Sequence, residues 1–240
     1  MFRFRISLAA LAFLLTSFQS SSFAGQITGS SFDQKVLEVI KNNPEAILES
    51  LSRYQQRQEL AKEEAKLALI RSIQDNPSKY LKDAPVFGRQ SAKTRLYVFA
   101  DFQCPYCAQV RANLQQFVLD NPTVSLVYKH YPIVSIHAEA MAAAMASWAA
   151  HRQGKFWQYH DILYAHQGRL GEDLYLGAAS QLGLDMVRFN ADRKSQAAEQ
   201  AVKSDIDLAE GLAITGTPFF LMNESTFSGL VDATVLRQKL

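Results

Sequence analysis

The sequence predicts an α/β domain that carries a helical insertion and is preceded by an N-terminal helical arm. Three observations support this fold class. An apolar strand candidate at residues 96–102 runs directly into a helix, and a second strand follows at 124–128, an order that implies a parallel crossover. From residue 138 to 211 the pattern is helical throughout, and strand chemistry returns only at Phe219-Phe220-Leu221-Met222. Ahead of all this, residues 32–73 repeat apolar positions at three- and four-residue steps, the period of an amphipathic helix.

Taken in order, residues 1–24 read as a secretory signal peptide. Met1-Phe2-Arg3-Phe4-Arg5 is a basic start, residues 6–18 are apolar, and Ser22-Phe23-Ala24 places small residues ahead of a cut before Gly25. The apolar stretch is shorter than a membrane-spanning helix needs. The expected location is therefore the periplasm or another exported compartment, an oxidising setting. Cleavage removes Arg3 and Arg5, so Lys+Arg falls from 25 to 23 against 23 Asp+Glu, and the mature chain is formally neutral. Nothing in that charge balance points to a nucleic-acid partner.

Residues 25–84 are expected to form the arm and its linker. Phe32, Val36, Leu37, Ile40, Ile47, Leu48 and Leu51 mark one face, and Asn42-Asn43-Pro44 interrupts it, with Pro44 best placed in the first turn of a second helix. From residue 50 to 74 the pattern continues through Leu60, Leu67, Ile70 and Ile73 with many charged residues between. Such a stripe carries little apolar bulk per turn, and docking on a second copy of the chain would bury it; folding back on its own domain is the alternative. Asn76-Pro77 and Asp83-Ala84-Pro85 mark the linker.

The second domain is expected over residues 85–240. Val86-Phe87 and 96–102 supply strands, 104–119 a helix ended by Asn121-Pro122, and 124–128 the next strand. An insertion at about 137–213 holds helices at 138–150, 156–166, 173–182 and 185–211. A short strand at Thr226-Phe227 and a helix over 232–240 complete the domain. Trp148, Trp157 and Tyr159 read as insertion core.

The chain's two cysteines stand together as Cys104-Pro105-Tyr106-Cys107 at the strand-to-helix turn. The first sulfur meets the unpaired N–H groups of a helix N-terminus, which favour a thiolate, and the second lies one turn inside, within reach of a disulfide. A loop this short stabilises a fold weakly as a structural disulfide. A zinc site needs four ligands, and His130, His137, His151, His160 and His166 show no ligand spacing with the cysteines. No metal and no cofactor are therefore expected. Asp101 and Lys129 are candidate proton helpers, but Asp101 reads better as satisfying backbone donors at the strand end. Lys129, His130 and His137 read as solvated or capping residues.

Phe102-Gln103-Cys104-Pro105-Tyr106-Cys107, the helical insertion, and Gly216-Thr217-Pro218-Phe219-Phe220 together resemble the thioredoxin-fold Dsb oxidoreductases. Pro85-Val86-Phe87-Gly88 with Ala92-Lys93 is similar to the lead-in of the DsbA-like group. The resemblance covers residues 85–240. It implies a thioredoxin fold, a cis bond before Pro218, and a Thr217 backbone turned to the cysteines where a client strand can pair. Residues 25–84 resemble the oligomerisation segments of DsbC, DsbG and ScsC-like proteins in position and helical character only.

The expected activity is protein thiol–disulfide exchange, with Cys104 as an exposed nucleophile and Cys107 as the buried resolving thiol. Pro105-Tyr106 departs from the Pro-His of the strongly oxidising enzymes, so Cys104 is expected below a free cysteine but less depressed than in those. That departure, Thr217 and the arm tilt the reading toward isomerase or reductase. A dithiol oxidase, a non-catalytic chaperone and a copper-handling protein remain alternatives. The implied partners are unfolded or misoxidised exported proteins, a membrane or soluble redox partner, and a second copy of the chain in a homodimer, with a trimer next.

Overall fold

The computed structural model describes residues 31–240; the expected signal peptide and its cleavage point lie outside the described residues. The chain divides into two compact units, meeting in sequence at Gln55 and Gln56. In the first, α1 (Ser31–Asn42) and the opening turns of α2 (Pro44–Asp75) are helical, with Pro44 at the head of α2. No residue of α1 is buried. Phe32, Leu37 and Leu48 are 70%, 54% and 66% exposed, a row of apolar side chains open to solvent.

The second unit is built on a five-stranded sheet in the order β1-β3-β2-β4-β5: β1 (Val86–Gly88), β2 (Thr94–Ala100), β3 (Val124–His130), β4 (Phe219–Met222) and β5 (Ser225–Ser228). β2 and β3 run parallel, Leu96 opposite Leu126, while the other pairs are antiparallel. A strand buried on both faces reads as a continuous apolar run, which is why β2 is legible in the sequence. Its alternation then divides two cores. Leu96, Val98 and Ala100 face one cluster; Tyr97 and Phe99 face the other.

The first cluster is closed by α4 (Pro105–Asp120) and by insertion helices α5 (Ala140–His151), α6 (Phe156–Ala165), α7 (Glu172–Gln181) and α8 (Met186–Asp192). The small side chains of Ala143, Ala146, Ala149 and Ala150 on α5 are all buried. They let neighbouring helices approach closely, as large side chains would not. At the end of β1, Gly88 has φ +89°, and a Cβ there would lie 2.6 Å from Val118 Cγ1 of α4. Only glycine fits both demands.

The second cluster is covered by α9 (Gln196–Gly211), by the end of α2 and by a short helix α3 (Pro77–Leu81). Ile70, Ile73 and Tyr80 are buried in it beside Tyr97 and Phe99. The segment expected to be arm and linker up to residue 84 therefore contributes core side chains from Ile70 onward. The helix expected as one piece over 185–211 is two, because Asp185 caps α8 through Arg188 N–H at 3.0 Å and Ser195 caps α9 through Ala198 N–H at 3.1 Å. The apolar rhythm runs across that break and conceals it. The final helix α10 (Ala233–Arg237) is shorter than expected and is capped by Asp232.

Lys129 is not solvated. Its side chain is 7% exposed, and its ammonium donates to Asp205 Oδ1 at 2.8 Å, while Asp205 Oδ2 accepts the His130 N–H at 3.0 Å. Period two places Lys129 on the same sheet face as Val127, toward α9. Burial pushes the Asp205 carboxyl up, and Lys129 opposes that shift. Removing one member of such a pair strands the other charge in the core. Asp205→Ala is therefore expected to cost about 3–5 kcal/mol in denaturant unfolding, whereas replacing both Lys129 and Asp205 by apolar residues of similar volume should recover most of that loss.

Candidate active site

β2 ends at Ala100, and the next four residues turn the chain into α4 with Cys104 at the N-cap and Pro105 at the first helical position. Proline there costs no hydrogen bond, since that N–H has no helical partner. Asp101 holds the turn. Its side chain is wholly buried, Oδ1 accepts the Gln103 N–H at 2.7 Å, and Oδ2 accepts the Ile133 N–H at 2.8 Å. Asp101 thus serves backbone donors, as the sequence suggests. His137 is not simply solvated: its Nδ1 lies 2.8 Å from Asp101 Oδ2. Gln103 accepts the Glu139 N–H in turn.

Across the sheet, the Thr217–Pro218 peptide bond is cis, and the Thr217 carbonyl accepts the Cys104 thiol at 3.2 Å. The structure therefore brings Cys104, Cys107, Thr217 and Pro218 into one place. The cover over the nucleophile differs from expectation. Cys104 is only 4% exposed and Cys107 3%, both as free thiols. Thr217 and the surrounding core close over the first sulfur, while Tyr106 between them is 53% exposed.

The two sulfurs titrate in opposite directions. Cys104 is lowered to about 6, chiefly by a hydrogen bond from the Cys107 thiol; burial works against this, and the Thr217 hydroxyl and the N–H groups of Cys107 and Tyr106 add to it. With Cys104 as a thiol, Thr217 Oγ1 has no hydrogen-bond partner. The carbonyl thus serves the thiol form and the hydroxyl the thiolate. The helix N-terminus contributes, but less than the neighbouring thiol does. Cys107 is pushed far above the ordinary thiol range, first by burial and then by its bond and its charge repulsion with Cys104.

Several residues at the site were invisible in the sequence. Gln167 donates to the Phe102 carbonyl at 2.7 Å and the Cys104 carbonyl at 2.9 Å, tying the insertion to the cysteine turn. Tyr164 donates to the Asp101 carbonyl at 3.3 Å and lies 3.1 Å from the Tyr128 hydroxyl. His130 is buried, not solvated; neither ring nitrogen has a partner, and burial pushes it down to about 3. Trp157 donates to the Val86 carbonyl at 3.0 Å, tying the insertion to β1, and Tyr159 donates to the Tyr175 carbonyl at 3.1 Å within the insertion. No sequence spacing announces contacts between residues this far apart.

A pH dependence follows. A Cys104 thiol lowered when folded adds stability that is full above the unfolded thiol pKa, about 8.5, and is lost as pH falls through about 6. Cys107, raised when folded, subtracts stability above that unfolded pKa. The reduced protein should gain stability from pH 6 to about 8.5 and lose it above. Urea unfolding of the reduced protein beside Cys104→Ser measures this: the variant should lack the rise above about pH 7, where the buried histidines no longer add stability. Thiolate absorbance should show one transition near pH 6, from Cys104.

A family model described as thioredoxin matches residues 81–239. A thioredoxin-like oxidoreductase from Silicibacter pomeroyi superposes with a TM-score of 0.61 at 30% identity, over 65% of this chain and 90% of that one. A linker-deleted variant of ScsC from Proteus mirabilis superposes with a TM-score of 0.64 at 18% identity, over 89% of this chain and 95% of that one. The Na(+)/H(+) antiporter NhaA 1 of Salinispora arenicola is 36% identical over 151 residues, 63% of this chain but 23% of the antiporter. The chain spans about a quarter of the length of the curated relatives it matches. Among the described residues no helix is long and apolar enough to cross a membrane. The sheet order, the family match and the superpositions agree, and the chain belongs to the thioredoxin family.

Proposed function

We propose that this protein is an exported thiol–disulfide exchange catalyst, leaning to isomerase or reductase work, acting on unfolded or misoxidised exported proteins. The observation that carries the reading is the asymmetry of the sulfur pair: Cys104, lowered to about 6, stands against the Thr217 carbonyl, and Cys107 lies beneath it with its proton held tightly. A thiolate at neutral pH is the attacking species in exchange. Cys104 attacks a client disulfide and forms a mixed disulfide; one client sulfur leaves as thiolate. Either the client rearranges, or Cys107 attacks Cys104, closes the enzyme disulfide and releases the client reduced.

Client recognition falls to the loop at Gly216-Thr217-Pro218. Among the described residues no backbone acceptor pairs with the Thr217 N–H, so an extended client segment can use it by strand addition, which tolerates many sequences. A membrane or soluble redox partner resets the pair. Export rests on the sequence pattern of residues 1–24. The exposed apolar row of the first unit, including Phe32, Leu37 and Leu48, supports assembly as a homodimer, with a trimer as the next choice.

One observation favours a second reading. A thiolate as stable as that of Cys104 is also a good leaving group, which raises the oxidising power of the disulfide form and suits a dithiol oxidase. The test is refolding of a scrambled client by the mature protein and by a form lacking residues 25–55. Deletion to residue 84 would remove Ile70, Ile73 and Tyr80 from the core and confuse folding with function. Reshuffling by the intact protein and only oxidation by the shortened one is expected. Oxidation by both, without reshuffling, establishes the oxidase. Protection of the client that survives Cys104→Ser overturns catalysis in favour of a chaperone, and stoichiometric Cu(I) binding without exchange favours metal handling.

A further inference from the structure

We infer that His160, on insertion helix α6, accepts the proton of Cys107 when that thiol resolves a mixed disulfide, and passes it to solvent through Asp161. The inference rests on the exchange reading and names a group that chemistry requires. Cys107 attacks only as it loses its proton, and its surroundings disfavour the thiolate. Some base must stand within reach.

The structure narrows the choice. Cys107 lines a cavity of about 10 Å³ together with His160, Tyr128, Tyr164 and Arg111, room for a single water. Tyr128 and Tyr164 are hydrogen-bonded to each other, and Tyr164 is spent on the Asp101 carbonyl. Asp101 already accepts from Gln103, Ile133 and His137. Lys129 is held by Asp205 on the other face of the sheet. His130 is buried with no partner at either nitrogen and does not line the cavity that Cys107 borders.

Of the cavity's lining, His160 is the neutral base that joins it to an exposed carboxylate. It is 4% exposed, and its Nδ1 lies 2.9 Å from Asp161 Oδ1, whose side chain is 42% exposed. A carboxylate at Nδ1 fixes the tautomer with that nitrogen protonated and leaves Nε2 as the acceptor. Asp161 is itself held by Arg111 Nη1 at 3.4 Å and Gln115 Nε2 at 3.2 Å. Burial keeps His160 neutral near pH 7, with Asp161 opposing that shift and the Arg111 charge adding to it. The charged and titratable groups around the ring are Asp161 and Tyr164 from α6, Arg111 and Cys107 from α4, and Tyr128 and His130 from β3. Once the imidazolium forms, Arg111 repels it and Asp161 provides the way out.

The step balances. The Cys107 sulfur bonds to Cys104 Sγ, the bond from Cys104 to the client sulfur breaks, and the client departs as thiolate. The Cys107 proton moves through the cavity to His160 Nε2, while the His160 Nδ1 proton leaves by Asp161. The enzyme pair is oxidised and the client disulfide reduced.

Stopped-flow reaction of the reduced protein with a bis(nitrobenzoate) disulfide separates the two cysteines. The first coloured thiolate reports Cys104 attack, and the second reports resolution by Cys107. For His160→Gln we expect an unchanged first phase and a second phase slowed about a hundredfold at neutral pH, the low end for a general base. That second phase should rise about tenfold per pH unit as hydroxide replaces the base. Asp161→Asn, at a half-exposed position, should slow the second phase severalfold and move its acid limb to lower pH. A second phase in both variants that follows the wild-type pH profile overturns the assignment to His160. Loss of the first phase in the wild-type protein instead overturns the exchange reading, and this inference with it.

Discussion

A carboxylate with no exposed atoms has to find donors for every lone pair it can, because an unpaired charge in the core is far more costly than the fold can tolerate. Asp101 stands in that position at the end of β2, and its donors come from three separate parts of the chain. Gln103 belongs to the cysteine turn, Ile133 to the segment after β3, and His137 to the entrance of the insertion. Satisfying one carboxylate therefore fixes the turn, the strand exit and the insertion against one another. Gln103 and Gln167 extend the same lattice, one accepting from Glu139 and the other donating to the Cys104 carbonyl. The sulfur pair inherits its geometry from these bonds.

Given that geometry, the difference between two chemically identical side chains comes from burial and from each other. Cys104 stands at a helix N-cap facing N–H groups, the Thr217 hydroxyl and the Cys107 thiol, and each favours its thiolate. Cys107 is enclosed by apolar and aromatic side chains and donates to that thiolate. The proton stays on Cys107, and its hydrogen bond steadies the Cys104 thiolate. Oxidation removes this proton together with the electrons, so the field around Cys107 bears on redox poise as directly as the dipeptide between the cysteines does.

Much of the fold was legible because it is local. The apolar run of β2, the helix start at Pro44 and the cysteine turn into α4 each state their structure within a few residues. The cysteine turn and the Thr217-Pro218 segment were legible as a resemblance, though 113 residues separate Cys104 from its Thr217 contact. What escaped was long-range and polar. Lys129 and His130 look like surface residues until the sheet register turns one toward Asp205 and leaves the other among Phe102, Tyr128 and Phe156. The exposure of Cys104 was misjudged for the same reason, since its cover arrives from the far end of the domain. Ser195 was missed because a cap is one residue set in an apolar rhythm that continues past it.

The insertion is more than an addition to the fold. Phe156, Leu163 and Tyr164 of α6 lie in the same core as Cys107, Val98 and Tyr128, so the helix that closes the sheet face also supplies the burial that holds the Cys107 proton. The only solvent-reaching polar pair on that helix, His160 and Asp161, borders the same small cavity. Enclosure and proton exit thus come from one element. Burial raises the barrier to losing the proton, and a base anchored at the surface lowers it again at the moment of attack. Changes within α6 can therefore retune exchange while the Cys104-Pro105-Tyr106-Cys107 segment stays as it is.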